Sequence, residues 1–411
     1  MNVTKRVHRP ALYGLVEALS QCFNQGHYAD KVLQRHFFQN RKMGARDRKF
    51  FAESFYETVR WWRRLRYSTG LVDLPQLGHY RDQDFKLALS AWCLLNGYNI
   101  ESFRAEGFLG DTNRVRSLWD SPGSSAVKES FPDWLWARGI QELGDKWEKL
   151  ACDSNQPAPL YLRVNGLRSR PKELQLRLRE EGIEAQLVSE GPDALLVVEK
   201  SNVFSTNAFK QGLFEVQDLG SQMISPFVQV EPGMRVIDAC AGAGGKSLHL
   251  ASLMRNKGKI LALDIHEWKL GELRVRARRA GINTIETKLI RSSKTIKRLH
   301  GQVDRVLLDV PCSGLGVMRR NPDVKWKLSE AECERLNELQ AEILGRYSPM
   351  VKVRGKLVYA TCSIFPSENQ MQVRRFLESH PNWELEAEFQ RMPTPQGSDG
   401  FYGARLLRNQ R

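Results

Sequence analysis

The stretch Met234–Ser247, "MRVIDACAGAGGKS", decides the fold. A short apolar run ends in an acid, a glycine-rich loop follows, and "KSLHLASLMRN" then carries helical spacing. Strand, glycine loop and helix in that order open a nucleotide-binding type of α/β fold. Further on, "KILALDI", "DRVLLDV" and "GKLVYATCS" repeat the apolar run, with helical stretches between them. From Pro232–Gly233 onward this alternation predicts a Rossmann-like, doubly wound sheet with right-handed crossovers, whose ligands bind at the carboxyl ends of the strands. The glycine loop, Asp264, Asp309 and Cys362 all fall at those ends.

The loop is not a phosphate loop. Counting back from Gly245-Lys246-Ser247, the pattern G-x-x-x-x-G-K-[ST] needs a glycine where Cys240 stands. The dinucleotide pattern G-x-G-x-x-G fits Gly242 and Gly244 but ends on Ser247. A nucleotide hydrolase is still the rival, because "RVLLD" resembles a strand with a magnesium-holding acid. A glycine loop of neither pattern lets the backbone approach a ligand at a helix N-terminus, and S-adenosylmethionine is such a ligand without phosphate. Asp264 then has the place of an acid that accepts ribose hydroxyls, with helix capping as its plainer alternative.

Upstream the pattern differs. Residues 1–150 have helical apolar spacing, as in "ALYGLVEALSQCF" and "FKLALSAWCLLNGYN", and predict an all-helical domain. Residues 151–230 predict a small α+β module, with two strands in "EAQLVSEGPDALLVVEK" around Gly191-Pro192-Asp193, and residues 231–411 form the third domain.

The 411 residues carry a formal charge of +15, which points to a polyanionic partner. Residues 1–70 hold 14 Lys/Arg against 5 Asp/Glu, and Trp268–His300 hold 10 against 2, densities that favour a nucleic acid over a merely solvated face. Seven scattered cysteines without a C-x-x-C pair predict reduced thiols, a cytoplasmic protein and no metal site. Neither a membrane span nor a signal peptide is read in the chain: Glu17 interrupts the apolar stretch near its start.

The chemistry lies in "LLDVPCSGLG" and "YATCSIFPSEN", which put Cys312 and Cys362 at two strand ends 50 residues apart. A lone cysteine is usually a small buried apolar group. Two at the ligand-binding edge of one sheet suit another task. Carbon 5 of cytosine is a poor nucleophile until a nucleophile adds at carbon 6, and a thiolate suits that reversible addition. A carboxyl group near ring nitrogen 3, for which Asp309 is the candidate, would offset the charge that develops.

With "LYLRVNGLRS", "EVQDLGSQ", "DACAGAGGKS", "LDVPCSGLGVMRRNPDVKW", "LVYATCSIFPSEN" and "DGFYGARLLR" in this order, the chain resembles the Sun/Fmu family of RNA cytosine-5 methyltransferases, most nearly its small-subunit ribosomal RNA members of the RsmB type. The resemblance implies Cys362 as nucleophile and Cys312 as the group that assists product release. It implies a cofactor site of Cys240, Ala241, Gly242, Ala243, Gly244, Gly245 and Lys246, with Lys246 also in the active site, Asp264 on ribose and Asp309 near both methyl donor and base. It further implies a NusB-like, RNA-binding helical domain, an RRM-like middle module and 16S-type ribosomal RNA as substrate.

Two departures from that family stand out. Its usual loop has a proline, which Ala241-Gly242-Ala243-Gly244 lacks, so a looser loop is expected here. Its acid near the adenine is also missing, since no acid lies between Glu286 and Asp304, and Ile290, Arg291 or backbone is expected to serve.

Overall fold

A computed structural model describes residues 5–71, 77–109, 111–199 and 201–410. The outermost residues of the predicted first and last domains, 1–4 and 411, lie outside them. The chain divides into two compact units, one of residues up to Gln156 with Met318–Glu330, the other of Pro157–Val317 with Ala331–Arg411.

In the first unit, apolar residues three and four apart give each helix one buried stripe. Leu12, Leu15, Leu19 and Phe23 on the helix Arg9–Phe23 meet Phe51, Phe55 and Val59 on Ala45–Arg60, and Phe85, Leu89 and Trp92 on Asp82–Leu95. Apart from a two-residue parallel pair, β1 (Lys5–Arg6) with β2 (Tyr98–Asn99), regular structure here is helical. Met318–Glu330 belongs to this unit through firm contacts. Trp326 enters the core and its Nε1 donates to the Val59 carbonyl at 2.7 Å, while Asp323 accepts from the Ala29 amide at 3.0 Å.

The second unit holds two sheets. β3 (Leu160–Val164), β4 (Ala185–Leu187), β5 (Ala194–Val197) and β6 (Phe214–Val216) pair antiparallel in the order β4-β5-β3-β6. With helices Pro171–Glu180 and Asn207–Lys210 they follow the βαββαβ course of a ferredoxin-like module.

The larger sheet contains β7 (Arg235–Asp238), β8 (Lys259–Asp264), β9 (Ile285–Leu289), β10 (Val303–Asp309), β11 (Val351–Thr361), β12 (Trp383–Arg391) and β13 (Phe401–Arg408), in the order β12-β13-β11-β10-β7-β8-β9. β7 to β11 run parallel, and β13 pairs antiparallel with β11 and β12. Both faces are covered, as the strand sequences require. Val236, Leu307, Val358 and Ala360 pack on one side, and Ile237, Val306, Leu308, Leu357 and Tyr359 on the other, by the two-residue period of a strand. The strand order reverses between β7 and β10, so a crevice opens at their carboxyl ends.

Candidate active site

Asp238 ends β7, and the helix Gly245–Leu253 begins seven residues later. The loop between them makes its turn with a Gly244 amide bond to the Ala241 carbonyl at 2.9 Å. Gly244 has φ +85°, and a Cβ there would lie 2.4 Å from Cγ of Leu273, so only glycine fits both the turn and the packing. Asp264, at the end of β8, accepts from the Gly242 amide at 2.9 Å and from the His266 amide at 2.8 Å. Nothing lies within 4 Å of where a Gly242 Cβ would project, which leaves the backbone bare on that side.

The missing proline does not leave this loop unrestrained. Arg276 donates to the Ala243 carbonyl at 2.7 Å and Arg163 to the Gly245 carbonyl at 2.5 Å. Arg276 holds the carbonyl of the residue standing where the family has proline, and Arg163 holds the loop two residues further on. Glu215 balances them, pairing with Arg276 at 3.0 Å and with Arg279. Neither Arg163 nor Arg276 was legible as a loop contact, because they come from β3 and from the helix Glu267–Ala280.

At the expected adenine edge, the Ile290 amide continues β9 by donating to the Asp264 carbonyl at 2.9 Å, and Arg291 is exposed. Ile265, directly after Asp264, is also exposed. The carboxyl of Asp238 behind the loop is pushed up to about 7 by burial, although the Ser247 hydroxyl donates to it at 2.6 Å. Burial and the charges of Asp238, Asp309 and Asp264 push the Cys240 thiol well up, which disfavours its thiolate.

The structure brings Lys246, Asp309, Cys312 and Cys362 to one edge of the sheet. Lys246 Nζ lies 2.6 Å from Asp309 Oδ2 and 5.5 Å from the centre of the Phe401 ring. Burial works against the ammonium, but Asp309 outweighs it and holds Lys246 above the ordinary lysine range. Cys312 Sγ and Cys362 Sγ are 3.4 Å apart, and all seven cysteines are free. Cys312 is pushed well up by its hydrogen bond with Cys362, by burial and by the negative charges of Cys362 and Glu368.

The two cysteine loops are held by residues with no assigned role in the sequence. Buried Glu368 accepts from the Ser313 amide at 2.8 Å, the Ser313 hydroxyl at 2.5 Å, the Ser363 hydroxyl, and Gln340 Nε2 at 2.9 Å. Gln340 also donates to the Pro311 carbonyl at 3.0 Å. Gly316 crosses behind Cys362, its amide donating to the Cys362 carbonyl at 2.9 Å. The one available signal was that Glu368 belongs to the same quoted motif as Cys362. Among the described residues no group of three or more His, Cys, Asp and Glu is arranged to hold a metal, and no helix is long and apolar enough to cross a membrane.

Known proteins share this fold and its sequence motifs. Residues 227–407 match the family described as 16S rRNA methyltransferase RsmB/F, and residues 131–204 match the ferredoxin-like domain of RsmF/B-like methyltransferases. The chain is 31% identical to the probable ribosomal RNA small subunit methyltransferase B of Synechocystis sp., over 87% of this chain and 85% of that protein. It is 35% identical to ribosomal RNA small subunit methyltransferase B of Yersinia enterocolitica, over 67% of this chain and 66% of that protein. Among solved structures, the crystal structure of PH0851 aligns with TM-score 0.81 at 25% identity, over 97% of this chain and 99% of that one. Fold, ordered motifs and similarity over most of its length establish that the chain belongs to the RsmB/F family of 16S rRNA methyltransferases.

Proposed function

We propose that this chain methylates carbon 5 of a cytosine in RNA, and in particular in the 16S-type RNA of the small ribosomal subunit, through a covalent bond between Cys362 and the base. S-Adenosylmethionine supplies an electrophilic methyl group when bound. The loop Cys240–Lys246 suits it, with a bare backbone at Gly242 and, in Asp264, a carboxylate whose two backbone bonds leave lone pairs for ribose hydroxyls.

Cys362 adds through sulfur to carbon 6 of a cytosine that is unpaired or flipped out of a duplex. Lys246 grips Oδ2 of Asp309 and fixes that carboxyl, so the pair is held in place to offset the charge at ring nitrogen 3 as electrons move onto the ring. Once carbon 5 carries the methyl group, its proton must go and the carbon–sulfur bond must break. Cys312, whose sulfur lies 3.4 Å from that of Cys362, takes part in that release. Residues 1–150 serve in this scheme as a NusB-like RNA-binding domain, 151–230 as an RRM-like module and 231–411 as the methyltransferase domain of a cytoplasmic protein.

The observation that carries the proposal is the 3.4 Å separation of the two thiols at the edge that also holds the Lys246–Asp309 pair. The test gives purified protein a labelled methyl donor and small-subunit RNA transcripts, then identifies the modified nucleoside by digestion and mass spectrometry. Wild type yields 5-methylcytidine and Cys362→Ala yields none. Full turnover by Cys362→Ala would refute the proposal.

A further inference from the structure

Glu368 is 2% exposed, and its carboxylate is the common anchor of two chain segments that reach the catalytic edge from different strands. Ser313, directly after Cys312, gives it an amide and a hydroxyl hydrogen. Ser363, directly after Cys362, gives it a second hydroxyl hydrogen. Gln340 reaches it from the helix Glu330–Tyr347 and holds the Pro311 carbonyl with the same nitrogen, so Cys312 is braced from both sides. The next residue, Asn369, accepts from the Thr361 hydroxyl at 2.5 Å and donates to the Ser363 carbonyl at 3.0 Å, which braces Cys362 likewise. A buried carboxylate is costly to desolvate unless every oxygen is satisfied. Here Oε1 takes hydrogens from the Ser313 amide and Gln340, and Oε2 from the Ser313 and Ser363 hydroxyls.

We propose that Glu368 is a positioning residue of the methyl transfer, which ties the Pro-Cys and Thr-Cys segments into one unit and so fixes the separation of the thiols. The inference rests on the cysteine roles proposed above. Its mechanism is geometric and electrostatic. Four donors fix the two loops, and the negative charge works against ionisation of Cys312. The titratable groups bearing on Cys312 are Cys362, Glu368 and Tyr359, whose hydroxyl donates to the Glu368 backbone carbonyl at 2.7 Å. Neutralising Glu368 therefore lets Cys312 lose its proton at lower pH and loosens the pair.

The experiment compares wild type, Glu368→Gln and the exchange Gln340→Glu/Glu368→Gln, which returns a carboxylate to the cluster from the facing helix. Alkylation of each thiol by iodoacetamide is followed against pH by mass spectrometry, without RNA or methyl donor. kcat, KM for RNA and calorimetric affinity for S-adenosylhomocysteine are then measured. The expected results for Glu368→Gln are a lower pH midpoint for Cys312 alkylation and a kcat reduced at least tenfold, with KM and cofactor affinity within twofold of wild type. The exchange recovers part of both effects, and it alone is read should the single variant fail to fold. Unchanged alkylation midpoints, or losses in kcat, KM and affinity alike, overturn the inference. Turnover by Cys362→Ala would instead overturn the proposed function while the alkylation result for Glu368 stood.

Discussion

Cys312 Sγ and Cys362 Sγ stand 3.4 Å apart although 50 residues separate them, because β10 and β11 are parallel neighbours whose ends lie level. Asp309 pairs with Ala360, and each cysteine follows within three residues of its partner in that register. If Cys362 forms the bond to RNA and Cys312 helps to break it, Cys312→Ala should accumulate a protein–RNA adduct that survives denaturing electrophoresis. The double variant Cys312→Ala/Cys362→Ala should form none. An equal adduct yield from both would contradict the division of roles.

The loop Cys240–Lys246 depends on its arginines. Arg276→Ala removes a charged hydrogen bond from the Ala243 carbonyl and unbalances buried Glu215. A loss of about 1.5–3 kcal/mol is the usual scale for such a bond, or roughly ten- to hundredfold in affinity for S-adenosylhomocysteine by calorimetry. Affinity for RNA transcripts, measured by filter binding, should change much less.

Gly316→Ala tests the packing behind Cys362. The new Cβ would meet the Gly400 carbonyl oxygen at 2.3 Å and the Cys362 carbonyl oxygen at 2.7 Å, both backbone atoms that cannot rotate away. Overpacking of this kind usually costs about 1–3 kcal/mol, and the displaced Cys362 should lower kcat more than tenfold. Retained calorimetric binding of S-adenosylhomocysteine would show that the damage is local.

Two buried groups give opposite pH dependences. Asp238 holds its proton up to about 7, chiefly through burial, whereas in the unfolded chain it loses it near pH ~4. Its contribution to stability therefore falls as pH rises through that window. His249 is pushed down to about 4 by burial and by the charge of Arg163, while an unfolded imidazole takes up a proton near pH ~6.5. Its contribution falls as pH drops through that range, so the slopes oppose each other. Relative to wild type, acidification from pH ~6.5 to ~4.5 should destabilise Asp238→Asn more and His249→Gln less. Urea denaturation across that range reads both, and parallel curves for all three proteins would show that neither group titrates as described.

Lys325 is 1% exposed in the helical unit, with Nζ 4.4 Å from the Phe131 ring centre and 3.2 Å from Asn155 Oδ1. Burial and the charge of Arg60 push it well below the usual lysine range. Lys325→Met keeps the length and removes the polar end, so it should be neutral or stabilising by about 1–4 kcal/mol in urea denaturation. Clear destabilisation would mean that the ammonium and its partners contribute net stability.

In the larger sheet β7, β8, β10 and β11 were legible because each carries a continuous apolar run between amphipathic stretches, and both faces of a parallel sheet must be buried, whereas β9 and β12 alternate with polar residues and were not. β4 and β5 were legible for another reason, since Gly191-Pro192-Asp193 forces a turn between two apolar runs. The Met318–Glu330 segment was not legible as part of the helical unit. "GVMRRNPDVKW" reads as one motif, and nothing local to Trp326 or Asp323 says which core takes the indole or which helix start takes the carboxylate.

Sequence alone determined the alternation of strands and helices along the chain, the glycine loop at the first strand end and the residue types Lys246, Asp309, Cys312 and Cys362, because chain period and strand-end position are local properties. Tertiary structure alone decided that Lys246 meets Asp309, that the two thiols touch, and that Glu368, Arg163 and Arg276 hold the loops around them. Those contacts join residues 33 to 82 positions apart. Their partners are chosen by strand register and by the need to satisfy every buried polar group, neither of which leaves a periodic trace along the chain.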